Sequence, residues 1–242
     1  MRISFMTDTG RMRSQNQDAV FATPEPIGSL ANLFLIADGM GGHNAGDYAS
    51  KKAIDLVKES IAGNLKAEAV PAIHQGITIA NETIHQEASA DKEKAGMGTT
   101  MVAATVDGDW MRVANVGDGR LYVVREGKLQ QVTQDHSVIG EMVRKGEMQK
   151  EEAQHHPRRN LITRAVGAEE TVRVDFFDVE LSDVEAVLMC TDGLTTMVDE
   201  SCILEILTSE DSVEDKVARL IQEANNAGGR DNITVLIIES LN

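Results

Sequence analysis

The chain has 242 residues, of which 42% are hydrophobic, so it can bury the core of a single layered domain and is too apolar to be disordered. Its formal net charge of −16 disfavours nucleic-acid binding, because such a surface repels a phosphate backbone, although acidity often serves solubility alone. No apolar run reaches the length of a membrane helix, and the start through Phe5 lacks the apolar stretch of a signal peptide. We therefore expect one domain over residues 1–242, a cytoplasmic location, and no nucleic-acid or membrane partner.

The predicted elements are short apolar strands and amphipathic helices. Two helical periods, at 49–61 and 70–84, lie between the first and second predicted strands. A further helix begins at a capping box formed by Ser212 and Asp215 and ends at the glycine pair 228–229. The predicted strands are flanked by Gly, Asp or Asn and cover residues 33–37, 99–106, 111–116, 121–124, 186–191 and 233–238.

The order of these elements predicts the fold class. Two consecutive helices followed by consecutive strands do not fit a regular βαβ wind and favour an α+β fold with helices outside antiparallel sheets. Residues 138–160 begin with a short helical face and continue as a charged stretch, which indicates a partly exposed insertion. Cys190 lies in an apolar run, so we expect a buried thiol and no disulfide with Cys202.

Aspartate recurs at the ends of the predicted strands. Three strands end in an Asp-Gly pair and one follows an aspartate: Asp38-Gly39, Asp118-Gly119, Asp192-Gly193 and Asp231. Any one of these is most simply a turn. Four together, with no matching His or Cys cluster, indicate oxygen ligands for a hard cation such as magnesium or manganese. Converging carboxylates repel one another unless a cation lies between them, and their number fits a two-metal centre.

The motifs around these aspartates resemble those of the metal-dependent protein serine/threonine phosphatases of type 2C, in their bacterial single-domain form. The similarity runs nearly end to end and keeps the order of the motifs. They are TG at 9–10, RSQNQD at 13–18, ADGMGGH at 37–43, GTT at 98–100, VGD at 116–118, Thr133, DHS at 135–137, RN at 159–160, TRAVG at 163–167, TDGL at 191–194 and GRDNIT at 229–234.

The resemblance implies a central antiparallel β-sandwich flanked by helices on both sides, in four layers αββα, and a flap beside the active site at about 138–160. It implies hydrolysis of phosphoserine and phosphothreonine in proteins, with manganese or magnesium as two core ions plus a weaker third. Phosphorylated proteins and a cognate serine/threonine kinase are the implied partners, and a monomer is expected. His155 and His156 of the flap either contact substrate or are solvated loop residues.

The same resemblance implies the metal ligands. Asp38 would bridge the first two metals, and the carbonyl of Gly39 would complete the first site. Asp192 and Asp231 would hold the second metal. Asp118, together with Asp192, would form the looser third site.

It also implies the residues that act around the metals. Asp18 would accept hydrogen bonds from metal-bound waters, Asn232 would orient Asp231 or a water, and the planar guanidinium of Arg13 would hold the substrate phosphate. Two cations lower the pKa of a bridging water toward ~7, and the resulting hydroxide would attack phosphorus directly. Because no phosphoenzyme is needed, a cysteine-phosphatase mechanism is disfavoured.

Three positions depart from the family pattern. Met40 stands where eukaryotic relatives usually have a histidine proposed as general acid; His43 is the candidate replacement and is equally well explained as a surface residue. Gln17 stands where many relatives have Glu. Gly119 replaces the usual Ser, which is expected to loosen Asp118 and the third site.

Two other functions are compatible with the residues alone. A catalytically weak signalling module would keep the fold to bind phosphoproteins, but it would be marked by loss of metal aspartates, and none of the four is lost. A phosphatase for small phosphate esters or nucleotides would use the same metal chemistry. The resemblance favours proteins as substrates.

Overall fold

Eleven β-strands form the centre of the computed structural model, which describes residues 1–42, 45–149, 152, 156, 158 and 161–241. The strands are β1 (Arg2–Asp8), β2 (Asp18–Thr23), β3 (Leu33–Met40), β4 (Gly98–Thr99), β5 (Met101–Asp107), β6 (Trp110–Val116), β7 (Arg120–Arg125), β8 (Lys128–Gln131), β9 (Asp175–Glu180), β10 (Val184–Cys190) and β11 (Ile233–Glu239). The helices are α1 (Ala45–Ala62), α2 (Ala69–Ala90), α3 (Val138–Arg144), α4 (Asp192–Thr195), α5 (Glu200–Leu207) and α6 (Val213–Asn226), with a 3₁₀ turn at Lys92–Lys94.

The strands form two antiparallel sheets. The five-stranded sheet has the order β1-β11-β10-β7-β8, and the six-stranded sheet has the order β2-β3-β5-β6-β9 with the short β4 paired to β3. In the five-stranded sheet, β7–β8 and β10–β11 are neighbours in sequence, and β11 returns the end of the chain to lie between β1 and β10. The two ends of the chain are therefore joined within one sheet.

Three layers of apolar side chains hold the sheets and helices together. Helices α1 and α2 pack on the outer face of the six-stranded sheet, and α4, α5 and α6 pack on the outer face of the five-stranded sheet. The third layer lies between the sheets. In β3, Leu33 and Leu35 face the helices whereas Phe34 and Ile36 face the other sheet, because successive side chains of a strand alternate. The predicted four-layer αββα sandwich is confirmed.

All six predicted strands are present. The predicted strand 99–106 is interrupted at Thr100, where β4 ends and β5 begins. The chain also contains strands that the sequence pattern did not predict, namely β1, β2, β8 and β9. The thiol of Cys190 is fully buried, and burial raises the pKa of that thiol to about 12, which makes it an unreactive core residue as expected.

Of the predicted flap at 138–160, the described residues are 138–149, 152, 156 and 158. Ser137 caps the start of its helix α3, and Ser137 Oγ accepts a hydrogen bond from the Gly140 N–H at 3.0 Å. Residues 150, 151, 153–155, 157, 159 and 160 lie outside the described part, so His155 and the motif at 159–160 stay predictions. In the described segments, no helix combines the length and the hydrophobicity needed to cross a bilayer.

The predicted cap of α6 is confirmed. The Asp215 N–H donates to Ser212 Oγ at 3.1 Å, and that hydroxyl donates in turn to Asp215 Oδ2 at 2.7 Å. The helix ends at Asn226, and after the cap residue Ala227 come Gly228 and Gly229, both of which have positive φ.

We expect Ser212→Ala to lower the free energy of unfolding by about 1 kcal/mol, because the first turn of α6 loses an N–H acceptor. Chemical denaturation of the variant measures this. Ser201→Ala, at an exposed position in the first turn of α5, is the matched control and should leave the free energy of unfolding within about 0.5 kcal/mol of wild type. Equal effects of the two substitutions would contradict a specific capping role.

Candidate metal centre

Strand ends from both sheets meet at one end of the sandwich, and the predicted aspartates lie there. Asp38 is near the end of β3, Asp118 follows β6, Asp192 begins α4 directly after β10, and Asp231 precedes β11. The six-stranded sheet thus contributes the first two and the five-stranded sheet the last two. The fold therefore brings together aspartates that lie far apart in the sequence.

Asp18 links the two sheets at this end. It lies opposite Asp38 in the β2–β3 pair and is buried. Its Oδ2 accepts hydrogen bonds from Thr191 Oγ1 at 2.9 Å and from Thr234 Oγ1 at 2.6 Å, at the ends of β10 and β11. A carboxylate of one sheet is therefore held by hydroxyl groups of the other, and the relative position of the four strand ends is fixed.

Burial and mutual repulsion raise the pKa values of the carboxyl groups in this centre. Burial raises the pKa of Asp18 to about 7, and the charges of Asp192 and Asp231 add to the rise. The hydrogen bonds from Thr234 and Thr191 act in the opposite direction and lower this pKa. Burial raises the pKa of Asp38 well above its ordinary value, and the surrounding aspartates raise it further. The pKa of Asp118 is also raised, by burial first and then by Asp192.

The donor set fits a hard divalent cation. The ligands available are carboxylate and carbonyl oxygens, which magnesium and manganese prefer. Asp18 Oδ1 is buried and accepts no hydrogen bond from the described residues, so it can accept one from a water of the centre. A cation would also remove the repulsion that raises the carboxyl pKa values.

The carboxylates surround the centre without closing on one point. Within the described part of the chain, no three His, Cys, Asp or Glu side chains already converge tightly enough to hold an ion. They are nevertheless close enough that the charges of Asp18, Asp192, Asp118 and Asp231 all raise the pKa of Asp38. The sheets fix the backbone at each strand end, whereas a change of rotamer moves a carboxylate oxygen, so these side chains can turn toward a common point.

Two glycines in the predicted centre are required by close backbone approaches. A Cβ on Gly39 would lie 2.0 Å from the carbonyl oxygen of Gly46, in the first turn of α1. A Cβ on Gly193 would lie 1.9 Å from the carbonyl oxygen of Asn232. The Gly39 N–H donates to the carbonyl of Gln17 at 3.0 Å. These contacts hold the backbone beside Asp38 and Asp192, so glycine here does more than allow a turn.

Asn232 holds the loop that carries Arg13. Its Oδ1 accepts from the Gln17 N–H at 2.8 Å, and its Nδ2 donates to the carbonyls of Thr9 and Gln15 at 2.9 Å each. Asp231 is oriented by the backbone of Asn232, whose N–H donates to Asp231 Oδ1 at 2.9 Å. The side chain of Asn232 thus supports the loop at 9–17, while its peptide N–H supports the aspartate.

Arg13 reaches the centre from this loop. Its Nη2 donates to Asp231 Oδ2 at 2.8 Å, and its side chain is 53% exposed. The hydrogen bond and charge of Asp231 raise the pKa of Arg13. The residue predicted to hold phosphate therefore lies beside a predicted metal ligand, with its guanidinium half open to solvent.

Comparison with known proteins identifies the family. A family model described as protein phosphatase 2C matches residues 10–236. The chain belongs to the protein phosphatase 2C family. The serine/threonine phosphatase stp of Listeria monocytogenes serovar 1/2a is 41% identical, over 99% of this chain and 96% of that protein. The protein phosphatase PhpP of Streptococcus pneumoniae is 36% identical, over 98% of this chain and 97% of its own.

Solved structures of this family share the fold. The serine/threonine phosphatase Stp1 from Staphylococcus aureus superposes with a TM-score of 0.92 at 34% identity, over 98% of this chain and 94% of that one. The Mycobacterium tuberculosis serine/threonine phosphatase PstP/Ppp superposes with a TM-score of 0.88 at 32% identity, over 98% and 97% of the two chains.

A cleft of about 570 Å³ opens beside the centre of this phosphatase 2C domain. Asp118 and Asp192 lie at its wall, and Ile139 and Val143 of α3 line it from the side of the predicted flap. Arg230 also lines the cleft. The described part of the flap is therefore positioned next to the predicted third site.

Positions 40 and 43 bear on the identity of the general acid. The side chain of Met40 packs toward Gly98, where its Cε lies 2.8 Å from the place a Cβ would occupy, and a thioether donates no proton. His43, the predicted replacement, lies outside the described residues, so its role stays a prediction.

Sequence reasoning missed the hydroxyl groups that fix the aspartates. Besides Thr191 and Thr234, Thr100 Oγ1 accepts from the Asp38 N–H at 3.0 Å, and Thr99 Oγ1 donates to the Asp38 carbonyl at 2.9 Å. These threonines are in the GTT, TDGL and GRDNIT motifs. The motifs thus include these threonines, but only the fold shows which atoms their hydroxyl groups contact.

We expect the metal-free protein to lose stability as pH rises from about 4 through about 7. Asp18, Asp38 and Asp118 have folded-state pKa values above the ordinary value of 3.8, so their contribution to stability is full at low pH and is lost as they ionise. The melting temperature should fall by about 5 °C or more between pH 5 and pH 7.5, as ~2 kcal/mol would cause in a chain of this size.

Differential scanning calorimetry with chelator measures this, and Asp18→Asn isolates one group. The amide still accepts from the two threonine hydroxyls but cannot ionise, so the fall should be smaller in this variant. Asp55→Asn, on the exposed face of α1, should leave the fall unchanged. A melting temperature that rises over this pH range in all three proteins would contradict the charge repulsion.

Proposed function

We propose that the chain hydrolyses phosphoserine and phosphothreonine in proteins, with divalent cations held by Asp38, Asp192 and Asp231. As a member of the protein phosphatase 2C family, it is a protein serine/threonine phosphatase. One observation carries the proposed mechanism: four aspartates from two sheets share one end of the sandwich and raise the pKa of the buried carboxyl groups among them. Such a set of oxygens suits manganese or magnesium.

Each residue has a place in the proposed centre. Asp38 and the Gly39 carbonyl would hold the first ion, Asp38, Asp192 and Asp231 the second, and Asp118 with Asp192 a weaker third. Cations held there would neutralise the charge of a phosphate dianion and would supply an activated water at neutral pH. Asp18 supports the centre through Oδ2, held by two threonine hydroxyls, and offers its buried Oδ1 to a water.

Arg13 is proposed to bind the substrate phosphate. Its present partner is Asp231 Oδ2, which is also a proposed metal ligand. If Asp231 bound a cation, the Arg13 guanidinium would lose most of its attraction to that carboxylate. Its planar set of N–H groups would then be available to phosphoryl oxygens. His43 stays the candidate general acid for the leaving alkoxide.

The finer assignments are also proposals. The partners would be phosphorylated proteins and a cognate serine/threonine kinase acting on the same proteins, and the chain would act as a monomer. The free thiols of Cys190 and Cys202 support a cytoplasmic location, where cysteines stay reduced.

We expect hydrolysis of a phosphothreonine peptide to require manganese or magnesium, to stop with chelator, and to exceed hydrolysis of the matching phosphotyrosine peptide. Asp38→Ala should lower turnover at saturating manganese by about 10³-fold or more, because single charge-stabilising groups are already worth about 10²- to 10³-fold. Initial-rate assays on both peptides measure this. Asp55→Ala is the matched surface control and should retain wild-type turnover.

Full turnover after exhaustive removal of metal would contradict the proposed chemistry. Faster hydrolysis of small phosphate esters than of either peptide, at similar concentrations, would favour the small-molecule alternative. Near-wild-type turnover of Asp38→Ala would mean that Asp38 is not a ligand of the reacting centre.

Arg13→Ala should raise KM for the phosphopeptide by about tenfold and lower kcat less, because Arg13 contacts phosphate in both the ground state and the transition state. It should also lower the manganese concentration needed for half-maximal activity, since Asp231 loses a competing cation. Steady-state kinetics at several manganese concentrations measure both effects. Arg11→Ala, on the same loop and also exposed, is the control. An unchanged KM with a collapsed kcat in Arg13→Ala would instead make Arg13 a transition-state residue.

A further inference from the structure

A buried histidine holds the turn that carries Asp118. His136 is 1% exposed and lies in the loop between β8 and α3. Its Nδ1 accepts a hydrogen bond from the Gly117 N–H at 3.1 Å, and its own backbone N–H donates to the Gly117 carbonyl at 2.9 Å. One residue therefore takes up both backbone polar groups of the residue directly before Asp118.

These contacts determine which ring nitrogen carries the proton. A peptide N–H can only donate, so Nδ1 must carry a lone pair, and a neutral imidazole then has its proton on Nε2. Nε2 lies 3.0 Å from Asp175 Oδ2, which accepts that proton's hydrogen bond. Arg164 Nη1 also lies 3.2 Å from Nε2, which in this tautomer has no lone pair to accept from it, so Arg164 donates to Asp175 Oδ1 at 2.9 Å.

The residues on either side of Asp118 give the turn little support of their own. Gly117 has φ +104, and a Cβ there would lie 2.6 Å from Thr100 Cβ, so the position is restricted to glycine. Gly119 on the other side of Asp118 also lacks a side chain. Two glycines leave the backbone free to adopt many conformations, so its shape depends on hydrogen bonds from outside the turn.

We propose that His136 is a positioning residue that fixes the Gly117–Asp118 turn so that Asp118 can bind a cation, and that Asp175 fixes the His136 tautomer that this requires. The inference rests on the proposed function only in assigning Asp118 to a cation. His136 touches neither substrate nor cation; it acts through the backbone of Gly117.

Two substitutions separate the hydrogen bond from simple packing. In His136→Asn the amide oxygen is as many bonds from Cα as Nδ1, so it can still accept from Gly117. In His136→Gln the amide nitrogen is as many bonds from Cα as Nε2, so it can reach Asp175 but leaves the Gly117 N–H without its acceptor. Glutamine resembles histidine more closely in volume, so a packing role predicts that Gln is tolerated better than Asn.

We expect the opposite order. In metal-free protein, amide hydrogen exchange at Gly117, followed by NMR, should be about tenfold faster in His136→Gln than in wild type and close to wild type in His136→Asn. Calorimetric titration with manganese should show the ion that depends on Asp118, defined by comparison with Asp118→Ala, bound about tenfold more weakly in the Gln variant alone. Asp178→Asn is the control and should change neither measurement. Asp178 lies on the same strand as Asp175 and forms a surface ion pair with Arg112.

Each outcome decides a different point. If the Gln variant keeps Gly117 protected and the Asn variant does not, His136 acts by packing and the proposal is wrong. If Asp118→Ala binds as many manganese ions as wild type, the assignment of Asp118 to a cation fails, while the exchange of Gly117 still decides the role of His136. If His136→Gln does not fold, Asp175→Ala replaces it, and unchanged protection of Gly117 in that variant overturns the proposal.

Discussion

Asp18 carries a carboxylate of the six-stranded sheet into hydrogen bonds with Thr191 and Thr234 of the five-stranded sheet, and the geometry of the site depends on this contact. Packing of two sheets through apolar side chains is tolerant of sliding, because dispersion contacts have little directionality. Short hydrogen bonds between buried polar groups do not tolerate sliding, because a lost partner leaves a buried charge unsatisfied. Asp18 thereby fixes Asp38 relative to the ends of β10 and β11.

The same arrangement is electrostatically unfavourable in the metal-free chain. Asp18, Asp38 and Asp118 are all buried, and burial is the largest cause of the raised pKa of each. Arg13 relieves part of the charge at Asp231, and Arg120 opposes the rise at Asp118. A protein with a net charge of −16 gathers acidic groups here at a cost in stability, and the proposed cation centre would explain why that cost is retained.

The interior of the fold was predictable from the sequence, and its edges were not. The six predicted strands lie in the interiors of the two sheets, where burial on both faces produces continuous apolar runs. The missed strands, β1, β8, β2 and β9, are the edges of the two sheets. An edge strand has one partner and is partly exposed, so its sequence mixes polar and apolar residues without a clear period; in β1, Phe5 and Met6 are both exposed.

Four of the aspartates carry a local sequence signal: Asp38, Asp118 and Asp192 each stand beside a glycine at the end of an apolar run, and Asp231 stands just before such a run. The contacts that position them are not local. Arg13 meets Asp231 across 218 positions, and Asp18 meets Thr234 across 216. The close approach of Gly39 to Gly46 depends on how α1 packs against β3, and no residue pattern encodes that packing. Residue types predicted the chemistry, whereas the fold supplied the distances and partners.

Gly119 shows how the two levels combine. From the sequence, glycine in place of serine is expected to loosen Asp118, and that expectation stays a prediction. A Cβ at this position would lie 2.9 Å from Val102 Cγ2, so the valine of β5 occupies the space that a side chain would need. The added backbone freedom is opposed on the other side of Asp118, where His136 bonds both polar groups of Gly117 and Asn115 Nδ2 donates to the same carbonyl at 3.3 Å. The rigidity that a serine could give the turn from within is therefore supplied by neighbouring elements, and the strength of the proposed third site would depend on them.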